Sequence, residues 1–391
     1  MRPETAPETP LSAVTHRDPY PYYAHLVQQR PFYRDAALGM WVASSARAVQ
    51  AVLESPALRV RPAEEPVPKA LRASAAGVLF GRLVRMTDGA AHLPLKRAVL
   101  QALASLDAGQ RDAVGRECAK ALGATHLAGL RPEGVQAFAF GLSVHVTASL
   151  LGLPPEAYQA VTGAVDAYLT GLGPGAEEAC LARAAGGAAF LLECMHAQLA
   201  APHPAGLLAH FRDSAAGAGC AAPDVLAANA AGFFTQAYEA TAGLICNTVL
   251  ALQTRPDLAA TVRQDAGLLN AVLVEVLRYD APVQNTRRFV ARDAVVNGHA
   301  LAAGDSILVV LAAASRDPEA NPEPERFELF RQQPHTFTFG SGAHLCPGQA
   351  LSLAIARAGV ERFLAATQEG AQLPTAVGYR PSLAVRVPRF V

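Results

Sequence analysis

One long stretch near the middle of the chain constrains the fold most. From Asp224 to Gln253 apolar residues recur at helical spacing, and no proline or glycine cluster interrupts them. At 1.5 Å per residue, this helix would be about 45 Å long, enough to cross a whole molecule. Asp224 follows Pro223 and is predicted to cap the N-terminus of the helix. A chain built around such a helix is expected to be mainly helical.

The rest of the pattern agrees with a mainly α fold with small β-sheets. Helical spacing recurs over 90–104, 111–122, 135–151, 156–169, 177–200, 257–264 and 266–279. Strand patterns are short and come late, at 288–296, 307–311 and 382–387, with a turn at Asn297-Gly298. We find no internal repeat and no long linker. Residues 1–18 are therefore predicted to form a flexible N-terminal tail, and residues 19–391 a single domain.

The charge balance favours small-molecule chemistry over nucleic-acid or membrane binding. The 33 Lys and Arg residues equal the 33 Asp and Glu residues, so the net charge is zero. A neutral chain has no global basic field to attract nucleic acid or anionic lipid. We therefore expect a small-molecule substrate and no nucleic-acid partner.

The long helix is not expected to span a membrane. Asn229, Gln236, Glu239 and Asn247 lie within it, and each would be costly in lipid. No apolar leader is recognised at the start of the sequence. The six cysteines are scattered and include no CxxC pair, which suits reduced thiols. We predict a cytoplasmic protein.

The most specific segment runs from Phe339 to Gly348 and reads FGSGAHLCPG. An apolar helical pattern follows it, so Cys346 lies just before a helix N-terminus. The glycines allow the backbone to pass close to a flat or bulky group. The positive helix end and nearby amides favour a thiolate over a thiol. A zinc site would need further ligands nearby, which leaves a buried structural cysteine as the alternative to a reactive one.

These residues resemble the haem-binding signature of the cytochrome P450 family, FxxGxxxCxG, in its fuller form FGxGxHxCxG. The resemblance implies a cytochrome P450-like fold with the long helix over a haem, and a cofactor of haem b (iron protoporphyrin IX). It makes Cys346 the metal ligand, and places Phe339, Gly340, His344 and Gly348 at the haem. An anionic axial sulfur donates electron density to iron and favours O–O cleavage.

A second motif is the ExxR pair of Glu275 and Arg278, which share one face of a predicted helix and can form an ion pair. Alone, such a pair is typical of a solvated helix surface. The family resemblance implies instead that both residues join Arg326, in the segment Pro324–Phe327, in a buried structural triad behind the haem.

Two haem propionates need cationic or hydrogen-bonding partners, and the resemblance implies four of them. Arg288 lies six residues after Pro282 in a segment similar to the family's PVQ…R pattern, and His344 lies in the cysteine loop. His92 and Lys96 resemble the family's HxxxR, with lysine at the arginine position. Lysine keeps the charge but loses the bidentate fork, and a plain surface location for this pair is the alternative.

The long helix departs from the family at the position that matters for proton transfer. The family usually has Ala/Gly-Gly-x-Asp/Glu-Thr-Thr, whereas residues 236–241 read QAYEAT. Glu239 keeps the acid, but Ala237 replaces the glycine and Ala240 replaces the threonine. That threonine normally helps to relay protons during dioxygen activation, and an alanine side chain cannot hydrogen-bond.

Three explanations of Ala240 stay open. The favoured one is an ordinary monooxygenase in which Thr241, Gln236, an ordered water or a substrate hydroxyl replaces the missing group. In the second, the enzyme uses peroxide, or rearranges or dehydrates its substrate, and needs no such relay. In the third, the register is shifted by one and Thr241 is the relay. Glu239 can also be interpreted as a helix acid paired with a core arginine.

The resemblance implies a monooxygenase that inserts one oxygen atom from dioxygen into a small or medium organic substrate. Electrons would come from a ferredoxin or flavodoxin with an NAD(P)H-dependent reductase, because no reductase domain is recognised in the chain. A peroxygenase, a dehydratase or isomerase, and a non-catalytic haem sensor are the alternatives. The loop 60–85 is expected to line the substrate pocket, together with Phe233, Gln236, Ala237, Val283 and Asn285.

Overall fold

A computed structural model describes residues 6–173, 175–201, 206–367 and 375–391. Its helices are α1 (Pro10–Ala13), α2 (Tyr20–Gln29), α3 (Ala46–Glu54), α4 (Ala75–Arg82), α5 (His92–Ala104), α6 (Ala108–His126), α7 (Pro132–Leu150), α8 (Tyr158–Thr170), α9 (Glu178–Ala200), α10 (Gly206–Gly217), α11 (Pro223–Gln253), α12 (Pro256–Gln264), α13 (Leu269–Tyr279), α14 (Leu311–Ser315) and α15 (Gln349–Ala366). Its strands are β1 (Phe32–Asp35), β2 (Met40–Ala43), β3 (Leu58–Arg59), β4 (Thr286–Val290), β5 (Ala294–Val296), β6 (His299–Leu301), β7 (Ser306–Val309), β8 (Ala376–Tyr379) and β9 (Pro388–Phe390). The predicted fold class, mainly α with small sheets, is confirmed.

The central helix α11 has 31 residues, is mostly buried and packs against α7, α9 and α15. Two buried amides attach other segments to it. Asn229 accepts a hydrogen bond from the Val84 amide at 2.7 Å and donates to the Arg82 carbonyl at 2.9 Å. Asn247 donates to the Asp280 carbonyl at 2.7 Å. In the described ranges no helix has the length and hydropathy needed to cross a membrane.

The start of α11 differs from the prediction that Asp224 is its N-cap. The helix begins at Pro223 and its N-cap is Ala222, because proline is well suited to the first helical position. Asp224 lies in the first turn, where its carboxylate pairs with Arg82 at 3.2 Å and His196 at 3.4 Å. An acidic side chain there is still favourable to the helix dipole.

The largest sheet has the strand order β1-β2-β7-β4-β3, and it joins strands near the N-terminus to strands more than 200 residues later. The strands β2 and β7 are parallel, and the other pairs are antiparallel. The strands β1, β2 and β3 were not predicted, because four residues or fewer give too little alternation to detect. This sheet packs beside the helices through its own core of apolar side chains.

The late strand predictions are partly wrong. The predicted strand 288–296 is divided into β4 and β5, and β5 pairs with β6 across Asn297 and Gly298. Both turn residues have positive φ, 48° and 81°, as a tight hairpin turn of this type requires. The predicted strand 382–387 forms only an isolated bridge between Val283 and Val385, and the ladder is made instead by the flanking strands β8 and β9.

Within the segment 1–18 that was predicted to be a flexible tail, residues 10–14 contain a short helix and buried side chains, while residues 1–5 lie outside the described part of the chain. Thr9 and Ser12 form a capping box at the start of α1. Ala13 and Val14 are fully buried. The segment is attached by the buried Arg386, which pairs with Asp280 at 2.9 Å and donates to the carbonyls of Val14, His16 and Arg17.

Candidate functional site

A cavity of about 1050 Å³ lies between α11 and the loop that precedes α15. It is at the upper limit of about 300–1,000 Å³ that is typical of ligand pockets. All the predicted haem, proton-relay and substrate residues line it except Glu239. They are Phe233, Gln236, Ala237, Ala240, Thr241, His92, Lys96, Val283, Asn285, Arg288, Phe339, Gly340, His344, Cys346 and Gly348.

Backbone hydrogen bonds hold the cysteine loop in place. The amide of Cys346 donates to the Phe339 carbonyl at 2.8 Å, and the amide of Gly340 donates to the Phe337 carbonyl at 2.8 Å. Gly340 and Gly342 have φ of 73° and 66°, which favours glycine. A Cβ on Gly342 would lie 3.1 Å from the Leu53 carbonyl oxygen of α3. The glycines therefore allow the loop to pass close to α3 while Cys346 reaches the cavity wall.

Cys346 is partly buried on the cavity wall. Burial raises its pKa, and this effect outweighs the Gly348 amide, Lys96 and Arg85, which lower it. The groups that were expected to favour a thiolate do lower the pKa of Cys346, but their combined effect is smaller than that of burial. Within the described ranges no three His, Cys, Asp or Glu side chains cluster as metal ligands, so Cys346 is a single candidate ligand. A metal ion deprotonates a coordinating thiol outright, so a haem iron at Cys346 would favour the thiolate despite the effect of burial.

The predicted propionate partners form one cluster against the cysteine loop. The ring nitrogens of His92 lie 3.2 Å from the Val84 carbonyl oxygen and 3.1 Å from that of Ala343. Lys96 donates to the Leu345 carbonyl. The His344 ring lies 4.3 Å from the His92 ring, and its Nε2 lies 3.2 Å from Asp88 Oδ1. His92 is 3% exposed, so a plain surface location is wrong for it.

Arg288 is the residue that best tests whether a haem fits this cavity. Its side chain donates to the Arg287 carbonyl at 2.9 Å, and no carboxylate of the described residues forms an ion pair with it. Burial lowers the pKa of Arg288 to about 10. Asp88 acts to raise this pKa but does not form an ion pair with Arg288. A buried cation without a contacting counter-charge is costly, and a haem propionate would supply that charge. The residues present therefore fit a haem with its iron at Cys346 and a propionate at Arg288.

Glu275 and Arg278 form a fully buried bidentate ion pair, with N–O distances of 2.6 and 2.9 Å. Arg278 also donates to the carbonyls of Pro324 and Arg326, both at 2.8 Å. The prediction that the Arg326 side chain completes a buried triad is wrong. That side chain is 59% exposed and pairs with Glu323, because this turn directs the Arg326 carbonyl inward. Arg331, 7% exposed and 3.8 Å from Glu275, is the second buried cation.

One face of α11 forms the opposite wall of the cavity. Residues 233, 236, 237, 240, 241 and 244 line it, at the three- and four-residue spacing of a helix face. Ala240 therefore faces the cavity without a hydroxyl group. The hydroxyl of Thr241 is 3.0 Å from that of Ser352 on α15, and Thr241 is fully buried. Its hydrogen bond to α15 argues against the two explanations that make Thr241 the relay.

Glu239 lies beside this wall, outside the set of cavity-lining residues. Burial raises the pKa of its carboxyl group, while Arg380 acts to lower it and Asp166 to raise it. Asp166 also accepts a hydrogen bond from the Tyr238 hydroxyl at 3.1 Å. These neighbours favour the interpretation of Glu239 as a helix acid beside an arginine.

Sequence reasoning did not single out Arg85 or Ser352. Arg85 lines the cavity, and its Nη1 donates to Gln236 Oε1 at 2.7 Å. Arg85 is the last residue of the loop 60–85, which was expected to line the pocket. A charged residue in such a loop was the signal by which the sequence could have identified Arg85. Ser352 lies six residues after Cys346, and nothing in the local pattern indicates its bond to Thr241.

Comparison with known proteins agrees with this geometry. Residues 221–366 match the sequence profile of the family described as Cytochrome P450. The chain is 32% identical over 235 residues to "Cytochrome P450 monooxygenase PikC" of Streptomyces venezuelae, covering 60% of this chain and 56% of that protein. It is 31% identical over 270 residues to "Vitamin D(3) 25-hydroxylase" of Pseudonocardia autotrophica, covering 66% of each. The matches thus span only about half to two thirds of these curated relatives.

Solved structures resemble the fold along nearly the whole chain. CalO2 superposes with a TM-score of 0.82 at 25% identity, covering 99% of this chain and 98% of that one. Epothilone B-bound P450epoK superposes with a TM-score of 0.83 at 21% identity, with the same coverage. The profile match contains α11, the Glu275–Arg278 pair and the cysteine loop, and α11 and the cysteine loop form two walls of the cavity. With its bacterial relatives and this shared fold, the chain belongs to the cytochrome P450 family.

Proposed function

We propose that this chain is a haem-thiolate monooxygenase that inserts one oxygen atom from dioxygen into a small or medium organic substrate. The family has a haem iron cofactor, and we propose haem b here. The observation that carries the proposal is the cavity with Cys346 on one wall, the α11 face on the other, and the buried Arg288, which no carboxylate of the described residues contacts, in its lining. The curated relatives named as a monooxygenase and a hydroxylase support the same reaction.

In this proposal the residues of the cysteine side hold the cofactor. Cys346 would ligate the haem iron, and Arg288, His344, Lys96 and His92 would bind the propionates or position the groups that do. A bound haem iron would supply the activation of dioxygen, to which a cysteine thiolate contributes electron density. Gly340 and Gly348 line the cavity on this side, and neither has a side chain that would project into the space of the macrocycle.

The α11 side holds the substrate and controls the supply of protons. Phe233, Ala237, Val283 and Asn285 form part of its wall. Ala240 leaves space where a threonine would project, and we propose that an ordered water or a substrate hydroxyl occupies that space and holds the proton. Thr241 is not used in this scheme, because its hydroxyl is bound to Ser352.

We propose that electrons come from a separate ferredoxin or flavodoxin and its NAD(P)H-dependent reductase, as the family resemblance implies. Such a partner would dock near the cysteine loop, where complementary charge would set its orientation. Location in the cytoplasm stays a prediction from the cysteine pattern.

In the test, the purified haem-loaded protein is titrated with a chemically diverse library of compounds, and binding is detected by the spin-state shift of the Soret band. Compounds that shift the band are then incubated with ferredoxin, reductase and NAD(P)H, and in parallel with hydrogen peroxide alone. We expect an oxygenated product that carries one atom from labelled dioxygen in the first reaction. Product formed only with peroxide, or rearranged without oxygen gain, would overturn the proposal.

A further inference from the structure

We propose that Arg85 binds a carboxylate group of the substrate, so that the enzyme acts on organic acids with an apolar body. This inference rests on the proposed function and names the substrate class of the same cavity. The relevant feature is a guanidinium group that enters the α11 side of the cavity and has spare hydrogen-bonding capacity.

Arg85 is held in position by the protein from two directions. Its backbone turn is fixed by Asn229 of α11, which bonds the Val84 amide at 2.7 Å and the Arg82 carbonyl at 2.9 Å. Its side chain donates from Nη1 to Gln236 Oε1 at 2.7 Å. The guanidinium is thus preorganised, which reduces the entropy lost when a ligand binds.

The remaining donors of Arg85 are available to a ligand. A guanidinium has five N–H donors, and the hydrogen bond to Gln236 uses one of them. No carboxylate of the described residues lies within ion-pair distance of Arg85. Arg85 is exposed and lines the cavity, so these donors are not covered by other side chains. Desolvation by the surrounding protein lowers its pKa, with Tyr168, Cys346 and Glu239 opposing this effect. A cation with free donors forms its strongest hydrogen bonds with an anionic partner.

A second polar group near Arg85 also lacks a partner. Tyr168 is fully buried, and its hydroxyl has no hydrogen-bond acceptor or donor among the described residues. It lies within electrostatic range of Arg85, because each affects the pKa of the other. Buried polar groups are nearly always hydrogen-bonded, so the Tyr168 hydroxyl is a second polar group whose bonding is incomplete, although Tyr168 is not among the residues that line the cavity.

Arg85 is not needed as a propionate partner, because the haem propionates already have a cluster of candidate partners at the cysteine loop, in which no carboxylate contacts Arg288. Arg85 does lie within electrostatic range of Cys346, since each affects the pKa of the other, but its hydrogen bond is to Gln236 on the α11 wall. Most of the cavity lining is apolar, so the acid would have a hydrophobic body. The apolar lining residues include Phe80, Leu83, Phe233, Leu244 and Val283.

The experiment uses matched pairs of ligands with the haem-loaded protein. Octanoic, dodecanoic, hexadecanoic and 4-phenylbutanoic acids are titrated beside their primary amides, and dissociation constants are taken from the Soret shift. We expect at least one acid to bind about tenfold or more tightly than its amide, the size expected of a charge-assisted bond. In Arg85→Gln this preference should disappear, while affinity for the amide changes less than about threefold.

The matched control is Arg82→Gln, which removes the same charge three residues away, where Arg82 pairs with the exposed Asp224. It should leave the ratio of acid to amide affinity unchanged. Equal binding of every acid and its amide by the parent protein would overturn the inference. Loss of haem from Arg85→Gln would also overturn it, by assigning Arg85 to the cofactor. Failure of the proposed function is distinguishable, since it would show as a missing haem–thiolate spectrum in the parent protein.

Discussion

The two walls of the cavity are built on different physical principles. On the cysteine side, the loop is fixed by backbone hydrogen bonds, and its neighbours contribute further bonds to its carbonyls, from Lys96 to Leu345 and at His92 to Ala343. On the α11 side, the wall departs from the family at Ala237 and Ala240, and Arg85 retains free donors. The cofactor side is thus defined by main-chain geometry, whereas the substrate side depends on a few side chains.

This difference indicates which changes each wall tolerates. A loop defined by glycine backbone angles and close contacts has little freedom to vary, because a side chain at Gly342 would meet the Leu53 carbonyl. A helix face can exchange one side chain for another without altering the backbone. Substitutions on the cysteine side should therefore remove the cofactor chemistry or the fold, and those on the α11 side should redirect the reaction.

The largest effect is expected from Cys346→Ser. The protein should still fold, because the loop is held by backbone bonds that serine can make. The red-shifted absorption band of the ferrous–CO complex should disappear entirely, since the axial sulfur is lost. The measurement is the CO difference spectrum, with circular dichroism as the control for folding. A variant that keeps the band would disprove the assignment of Cys346 as axial ligand.

The next largest effect is expected behind the cysteine side, from Glu275→Gln. This change leaves the Arg278 guanidinium buried beside a neutral amide, and removing one partner of a buried pair costs about 3–5 kcal/mol. The free energy of unfolding should fall by about that amount in urea titrations.

The control for this variant is Arg326→Ala. Because the Arg326 side chain is exposed, its removal should change the free energy of unfolding by less than about 0.5 kcal/mol. An equal loss in both variants would support the buried triad that the sequence predicted and contradict the present geometry.

On the α11 side, Ala240→Thr restores the hydroxyl typical of the family. It should alter the fraction of NAD(P)H consumption that appears as product, without removing the haem spectrum. Thr241→Val is the matched comparison. It breaks the bond to Ser352, and we expect a loss of about 1 kcal/mol in stability with unchanged coupling. If Ala240→Thr leaves coupling unaltered while Thr241→Val changes it, the relay lies at Thr241.

The smallest effect concerns Glu239. Burial raises its pKa above the ordinary value of 4.5, so the folded protein disfavours the carboxylate. Its destabilising effect is therefore absent at pH values below 4.5, begins as the pH rises above the unfolded-state value of 4.5, and is complete only above the raised pKa of the folded protein. Glu239→Gln removes the effect, so the variant should gain stability relative to the parent as the pH increases. Urea titrations at several pH values measure this difference, and a constant difference would mean that Glu239 titrates normally.

Much of the site could be predicted because its signals are local. The cysteine loop, the ExxR pair and the amphipathic helices each lie within a short segment, and their bounds agree with the structure to within a few residues at most ends. The predictions that were wrong concern side chains that could point either into the core or into solvent. Arg326 faces outward and Arg331 inward, and both are arginines in one turn-rich segment.

The sequence by itself determined that the chain is mainly helical, that one long helix crosses it, and that a glycine-rich loop offers a cysteine at the start of another helix. Periodicity and backbone restrictions act over a few residues, so they can be recognised without the fold. Only the tertiary structure decided that Arg85 meets Gln236, 151 residues away, and that Thr241 bonds Ser352, 111 residues away. Those contacts depend on how helices pack, and packing energy is shared among many side chains across the whole core.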